Sequence, residues 1–169
     1  MSNPWLLSGC GETHTYHYDP TCPPGLELLG EVLRSWEGTP YAEGSQVRGV
    51  GADCIRALCG VADELLGTLT SPKMLPADAA MTQPETARAG MRILLRTFKA
   101  TEVSESVLRP MDFLVTRPPG RNTGPGHAMI VGDTRSVWHM DRFRGFCNVG
   151  NSLEGNLLVG VYRIEELWD

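Results

Sequence analysis

One cysteine and two histidines have the types and the order along the chain that nucleophilic catalysis requires. Cys54 follows Asp53 at the predicted start of a helix, where unpaired N–H groups and the helix dipole favour a negative sulfur. The same N–H groups could bind an oxyanion formed on a substrate carbonyl. His127 begins a predicted strand after Gly124-Pro-Gly126, and His139 lies twelve residues further on. We therefore predict that Cys54 is a nucleophile, His127 its general base and His139 the residue that orients the base.

Apolar residues at regular spacing predict the elements that would position these side chains. Helical spacing predicts helices at Gly25–Trp36, at Cys54–Leu66 and from Pro84 to about Ala100, and Asp53 is a favourable N-cap for the second helix. Apolar segments in the last third of the chain predict strands at 111–116, 127–132, 136–140 and 157–164. Helices followed by strands predict an α+β fold, with N-terminal helices packed on a mostly antiparallel sheet.

The beginning of the chain differs from the rest in composition. Residues 1–24 are rich in proline, glycine and aromatic side chains without a helical or strand pattern, so we predict an extended N-terminal arm there. Residues 25–169 have the length of a single domain. Proline and glycine also predict loops at 68–83 and 117–126, and these loops are candidates for controlling access to the catalytic residues.

The overall composition excludes several functional classes. A net charge of -5 argues against a broad electrostatic contact with nucleic acid, which is itself polyanionic. No run of about 18 apolar residues is present, so we predict no membrane span. The segment Met1 to Gly11 lacks the basic start and apolar stretch of a secretory signal peptide, which predicts synthesis in the cytoplasm.

The five cysteines are an odd number, so at least one thiol stays free. Cys59 and Cys147 are expected to be structural. Cys10, His14, His17 and Cys22 are spaced loosely like a metal-ligand set, which leaves three alternatives open. The segment binds zinc or another metal, it forms a Cys10–Cys22 disulfide after export, or it forms no bond. We expect no cofactor and no metal at the catalytic residues.

Several of these motifs together resemble the NlpC-type cell-wall peptidases, which are papain-like. The resemblance covers about residues 28–165 and rests on four segments: Trp36-Glu-Gly-Thr-Pro-Tyr41, Asp53-Cys54 at a helix start, Gly126-His127-Ala-Met-Ile-Val-Gly132 and Trp138-His139. It implies the same roles for Cys54, His127 and His139 as the residue types do. It also implies that the Tyr41 hydroxyl helps to hold the oxyanion. Asp53 is a second candidate for the oxyanion or substrate region, and its alternative role is the N-cap.

Two positions depart from the family pattern. Ile55-Arg56 stand where the family usually has Ser-Gly after the cysteine, which implies a different acceptor pocket. Met111-Asp112 stand where it has Gly-Asp before the central strand. Arginines flank the proposed histidine strands and could meet the carboxylates of a peptide stem, or form an ordinary solvated rim: Arg117, Arg121, Arg135, Arg142 and Arg144.

The resemblance implies a peptidoglycan endopeptidase that cuts stem-peptide amide bonds through an acyl-thioester. The short chain with Gly51-Ala-Asp-Cys54 looks like the form found among phage tail genes. It would then be carried in a virion tail and open the cell wall locally as DNA enters, with residues 1–24 docking onto tail-tip or hub proteins. Two alternatives stay open. One is a structural tail-tip protein with little activity, and the other is a thiol amidase or acyltransferase on another substrate.

Overall fold

The computed structural model describes residues 4–67, 92, 95–104, 106–120 and 126–168. Within these residues the helices with both ends described are α1 (Leu29–Trp36) and α2 (Cys54–Leu66), and residues 92 and 95–97 are also helical. The strands are β1 (Trp5–Ser8), β2 (Thr13–Tyr18), β3 (Gln46–Val47), β4 (Gly51–Ala52), β5 (Ala100–Glu102), β6 (Val107–Leu108), β7 (Phe113–Arg117), β8 (His127–Val131), β9 (Val137–Asp141), β10 (Gly145–Gly150) and β11 (Leu157–Ile164). A 3-10 helix follows at Glu165–Leu167. The predicted loop at 68–83 and most of the predicted helix at Pro84–Ala100 lie outside the described residues.

Six of the strands form one antiparallel sheet in the order β10-β9-β8-β7-β11-β5. The four predicted strands correspond to β7, β8, β9 and β11, and β11 has the predicted bounds. A tight turn joins β8 to β9, so His127 and His139 lie on neighbouring strands near the same end of the hairpin, as predicted. The α+β class is therefore confirmed.

One face of this sheet is covered by the two helices. All nine residues from Cys54 to Ala62 are buried, so α2 lies in the core along most of its length. Gly60 allows α1 to approach closely, because a Cβ atom there would lie 2.3 Å from a ring carbon of Trp36. The Trp36 indole Nε1–H donates to Glu64 Oε1 at 2.9 Å. Close packing and one hydrogen bond thus fix α1 against α2.

The other face of the sheet is covered by the N-terminal segment, where irregular structure was expected. That expectation is wrong for residues 5–18. β1 and β2 form an antiparallel hairpin, β2 pairs in parallel with β6, and Trp5 and Leu7 are buried beneath the sheet. The physical reason is that β7, β8 and β9 carry apolar side chains on both faces, so both faces must be covered. The division of the chain at residue 24 into arm and domain stays a prediction.

A buried ion pair ties the end of β11 to the turn before β7. Two nitrogens of the Arg163 guanidinium donate to the Asp112 carboxylate, Nε to Oδ1 at 2.8 Å and Nη2 to Oδ2 at 2.7 Å. Asp112 is fully buried and Arg163 nearly so. The preceding Met111 has a φ of 75°, a left-handed conformation that glycine adopts without strain.

Replacing the buried arginine is expected to destabilise the fold strongly. The substitution Arg163→Met leaves the buried Asp112 carboxylate without its cation, which costs about 3 to 5 kcal/mol in the free energy of unfolding. Urea denaturation followed by circular dichroism measures this loss. The matched control is Arg48→Met, which removes the half-exposed ion pair with Glu64 and should cost at most about 1 kcal/mol. Equal losses for the two variants would contradict the role assigned to the buried pair.

Candidate active site

The first turn of α2 is anchored by Asp53. Its Oδ1 accepts the Arg56 N–H at 2.9 Å as the N-cap, and its Oδ2 accepts the Gly44 N–H at 3.1 Å. The Arg56 guanidinium turns back to the same carboxylate and is itself buried. Asp53 is fully buried and does not line the cleft described below. The structure thus places Asp53 in the capping position rather than facing substrate, and Arg56 points away from the site.

Cys54 lies at the start of α2, among backbone N–H donors. The N–H groups of Ala128, Ile55 and Cys54 itself point at the sulfur and oppose the rise in its pKa. Burial outweighs them and raises the pKa of Cys54 to about 12. The sequence suggested that the helix start would favour a thiolate. The structure shows that removing the thiol from water has the larger effect, so the resting thiol is neutral.

The two histidines contact each other directly. His127 Nε2 lies 2.8 Å from His139 Nδ1, and the two rings meet edge to face. Burial, followed by the neighbouring imidazole, lowers the pKa of His127 to about 3, and burial also lowers the pKa of His139. Both imidazoles are therefore neutral at rest. With His127 Nε2 engaged by His139, His127 Nδ1 is the nitrogen left to take a proton.

A loop hydrogen-bonded to β10 places Tyr41 near the thiol. The Gly38 N–H donates to the Phe146 carbonyl at 2.8 Å, and the Phe146 N–H donates to the Thr39 carbonyl at 2.9 Å. Tyr41 then forms a bridge with Ala52, just before the α2 cap. Its hydroxyl donates to Glu43 Oε1 at 3.3 Å. Burial, then the negative charge of Glu43, raises the Tyr41 pKa, so the phenol keeps its proton and stays a hydrogen-bond donor.

These side chains share one open cleft of about 380 Å³. It is lined by Tyr41, Cys54, Pro118, Gly126, His127, His139, Met140, Asp141, Arg142, Glu154 and Asn156. Four of the five residues predicted for the site are thus brought together, and the fifth, Asp53, caps the helix that carries Cys54. The prediction missed Asp141 at the end of β9 and Glu154 and Asn156 after β10, because no sequence motif marks them.

An arginine joins the two carboxylates at the rim of this cleft. Arg144 Nη2 lies 2.6 Å from Glu154 Oε2 and 3.3 Å from Asp141 Oδ2. Asp141 Oδ1 also accepts the backbone N–H groups of Phe143 and Arg144, which closes the β9–β10 turn. One nitrogen of His139 and one oxygen of each carboxylate lie within 4.8 Å of one another, a spacing that could hold a metal ion.

The N-terminal cysteines and histidines form no comparable group in the part of the chain that the structure describes. Cys10 and Cys22 are both exposed free thiols, and His14 contacts Glu12 at 3.3 Å. No metal-capable grouping of these side chains occurs among the described residues. Neither α1 nor α2 combines the length and the apolar character that crossing a bilayer requires.

Comparisons with known proteins support the fold. No family model matches the sequence, and no curated protein matches it. A solved lipoprotein-like protein of the NLP/P60 family from Staphylococcus aureus matches 83% of this chain at 17% identity with a TM-score of 0.54, and the match spans 41% of that protein. The NlpC/p60 domain of the peptidoglycan hydrolase SagA matches 77% of this chain and 92% of its own length, at 17% identity and a TM-score of 0.45. The likeness to the staphylococcal protein supports the NlpC-type fold that the sequence resemblance predicts.

The protonation state of Cys54 can be measured directly. With a pKa raised to about 12, the thiol should show no thiolate absorbance near neutral pH and should ionise only in strongly alkaline solution. The measurement is the ultraviolet difference spectrum between the wild type and Cys54→Ser across a pH titration, in which the other four cysteines cancel. A difference signal already present at mildly acidic pH would show a preformed thiolate–imidazolium pair instead.

Proposed function

We propose that this protein is a cysteine endopeptidase that degrades peptidoglycan by cutting amide bonds of the stem peptide. The observation that carries the proposal is the 2.8 Å contact between His127 Nε2 and His139 Nδ1, in the same cleft as Cys54 at a helix start. A thiol, a base and an orienting group in one open cleft are the parts that acyl transfer needs. The NlpC-type fold favours a peptidoglycan substrate by analogy.

The proposed reaction begins with the neutral pair. Cys54 Sγ attacks the scissile carbonyl carbon while its proton moves to His127 Nδ1, and the carbonyl oxygen becomes an oxyanion. The donors for that oxyanion are the Cys54 backbone N–H and the Tyr41 hydroxyl, which turns from Glu43 to the oxyanion. His127 gives the proton to the leaving amine, which breaks the C–N bond and leaves an acyl-thioester on Cys54. Water then attacks the thioester carbonyl while its proton moves to His127. The C–S bond breaks, the carboxylic acid product leaves, and the proton passes from His127 to the sulfur, which restores the Cys54 thiol.

One arginine of the cleft is placed to bind an acidic peptide, because the two carboxylates of the lining are already paired with Arg144. Arg142 lines it, with its guanidinium carbon 6.0 Å from the centre of the Tyr41 ring. A cation beside the nucleophile can meet a carboxylate of the stem peptide, and the guanidinium binds carboxylates in two-pronged geometry. Arg144 has a different environment, because it is already paired with Asp141 and Glu154. Among the arginines of the histidine strands, Arg142 is thus the proposed contact for substrate.

Action from a phage tail stays a prediction from the sequence resemblance. In that role the protein would reach the cell wall as part of a virion, and residues 1–24 would contact tail-tip or hub proteins. Since Trp5 and Leu7 are buried against the sheet, the exposed side of β1 would make such a contact, where Leu6 is 45% exposed. A structural tail protein with little activity and a thiol amidase or acyltransferase on another substrate are the competing functions.

The proposed hydrolysis is tested with purified peptidoglycan and mass spectrometry of the released fragments. The wild type should release stem fragments with one new amine and one new carboxyl end. Cys54→Ala and His127→Ala should each lower the rate about 10³-fold or more, since each removes a member of the acyl-transfer unit. A smaller loss is expected for His139→Ala, because His139 acts on the base and not on substrate.

The matched control is Cys59→Ala, which removes another buried thiol from the same helix outside the cleft. It should keep wild-type activity per folded molecule. Release of fragments that survives Cys54→Ala would refute the proposed nucleophile. A folded wild type with a reactive Cys54 that releases no fragments would favour a tail-structural role, and transfer of an acyl group to an added amine would favour an acyltransferase.

A further inference from the structure

His139 has a second nitrogen that the proposed catalytic unit does not use. Its side chain is only 3% exposed, and Nδ1 faces His127 Nε2. Among the residues that the structure describes, no hydrogen-bond partner reaches the buried Nε2. When His127 keeps its proton on Nε2, His139 Nδ1 must accept it, so the proton of neutral His139 lies on Nε2. A buried N–H in this position needs an acceptor.

Two carboxylates that could accept this hydrogen bond lie near the His139 ring. Asp141 and Glu154 each bring a carboxylate oxygen within 4.8 Å of a ring nitrogen of His139. That separation fits either one bridging water or a modest rotation of the half-exposed Glu154 side chain. Asp141 already uses Oδ1 to close the β9–β10 turn. Glu154 makes no such bond to the turn, and its charge is the largest of those that raise the pKa of His139.

Arg144 is paired with both Asp141 and Glu154 and therefore limits which further groups these two acids can bind. Its guanidinium lies 2.6 Å from Glu154 and 3.3 Å from Asp141, so the carboxylates already have a bound cation. A metal ion would have to displace that cation to use both acids. A hydrogen-bond acceptor role needs no such displacement, because each carboxylate has more lone pairs than Arg144 occupies. Arg144 also restricts the Glu154 side chain at the rim of the cleft.

We infer that Glu154, held by Arg144, is a positioning residue that accepts the Nε2–H of His139 and so extends the Cys54–His127–His139 unit by one carboxylate. The role deepens the proposed peptidase function and rests on it. In this role Glu154 acts through His139 from the rim of the cleft and not on the reacting atoms. It fixes the tautomer in which His139 Nδ1 accepts from His127, and this leaves His127 Nδ1 free to take the thiol proton. Its negative charge also stabilises the imidazolium formed when Cys54 loses its proton.

The charge of Glu154 acts among several other groups that face His139. His127 lies on β8, Asp141 on β9, Cys147 directly opposite His139 on β10, and Arg144 in the turn. Asp141 favours the imidazolium and Arg144 opposes it. The Cys147 thiol has a raised pKa because of burial and stays neutral near neutral pH. Without Glu154, less negative charge would offset the positive charge of Arg144. Protonation of the two histidines would therefore be less favourable.

The test uses Glu154→Gln and Glu154→Ala in the full chain, and two rates for each variant. The first is alkylation of Cys54 by iodoacetamide across pH, located by peptide mass spectrometry. The second is stem-peptide cleavage, divided into kcat and KM. Both variants should lower the alkylation rate near neutral pH and kcat by about 10-fold or more, with KM little changed. The isosteric Gln should not restore the rate, because it lacks the charge.

The matched control is Glu165→Gln, which neutralises an exposed acid that bonds Thr101 away from the cleft. It should keep both wild-type rates. Urea midpoints of all variants report folding independently. Wild-type alkylation and kcat in Glu154→Gln would overturn the inference. Alkylation needs no peptide substrate. If the wild type cuts no stem peptide but alkylation is slower in a Glu154 variant, the result would support the inference and refute the proposed substrate.

A spectroscopic readout tests the tautomer without any reaction. The chain has four histidines, so nitrogen-15 spectra of the imidazoles are simple to assign with His139→Gln as reference. The wild type should show His139 protonated on Nε2 and bare on Nδ1 near neutral pH. Glu154→Ala should shift that resonance toward a mixture of tautomers. A wild-type His139 protonated on Nδ1 would overturn the inference, because His127 could then not donate to it.

Discussion

The burial of the first turn of α2 against the start of β8 is the constraint on which the site depends. A helix end without partners leaves N–H groups unpaired, and here Asp53 caps it while Arg56 neutralises the cap within the core. This arrangement holds Cys54 next to the Ala128 N–H, one residue after His127. Cys54 and His127 are therefore placed relative to each other by packing of rigid elements, and not by a flexible loop.

The same burial sets the chemistry of the resting state. It raises the pKa of the thiol and lowers the pKa of the imidazole, so neither group is charged before substrate enters. In the proposed reaction, proton transfer must then accompany attack on the carbonyl. In the same proposal, fixed groups stabilise the charge that develops: backbone N–H donors the oxyanion, and the carboxylates near His139 the imidazolium. The cost of desolvation is thus partly offset by preorganised partners.

The central sheet imposes a second constraint, because its strands are apolar on both faces. Helices cover one face and the hairpin of β1 and β2 covers the other, with Tyr18 also donating to the Gly132 carbonyl at 3.0 Å. The turn that joins β8 to β9, the strands that carry His127 and His139, is therefore held in place by the N-terminal segment. A segment that looks irregular along the chain consequently supports the spacing of His127 and His139.

The sequence by itself determined the elements with strong local patterns. Helix α2, its Asp53 cap and the strands that carry His127 and His139 follow from apolar spacing and residue type, and these elements suffice to predict the Cys–His–His order. The hairpin of β1 and β2, strand β10 and the placement of Asp141 and Glu154 beside His139 were decided by tertiary structure. These features depend on partners far apart in the chain, which the local pattern of a polar strand or of a single acid does not reveal. The neutral thiol was likewise decided only by the fold, because desolvation exists only once the core has closed around Cys54.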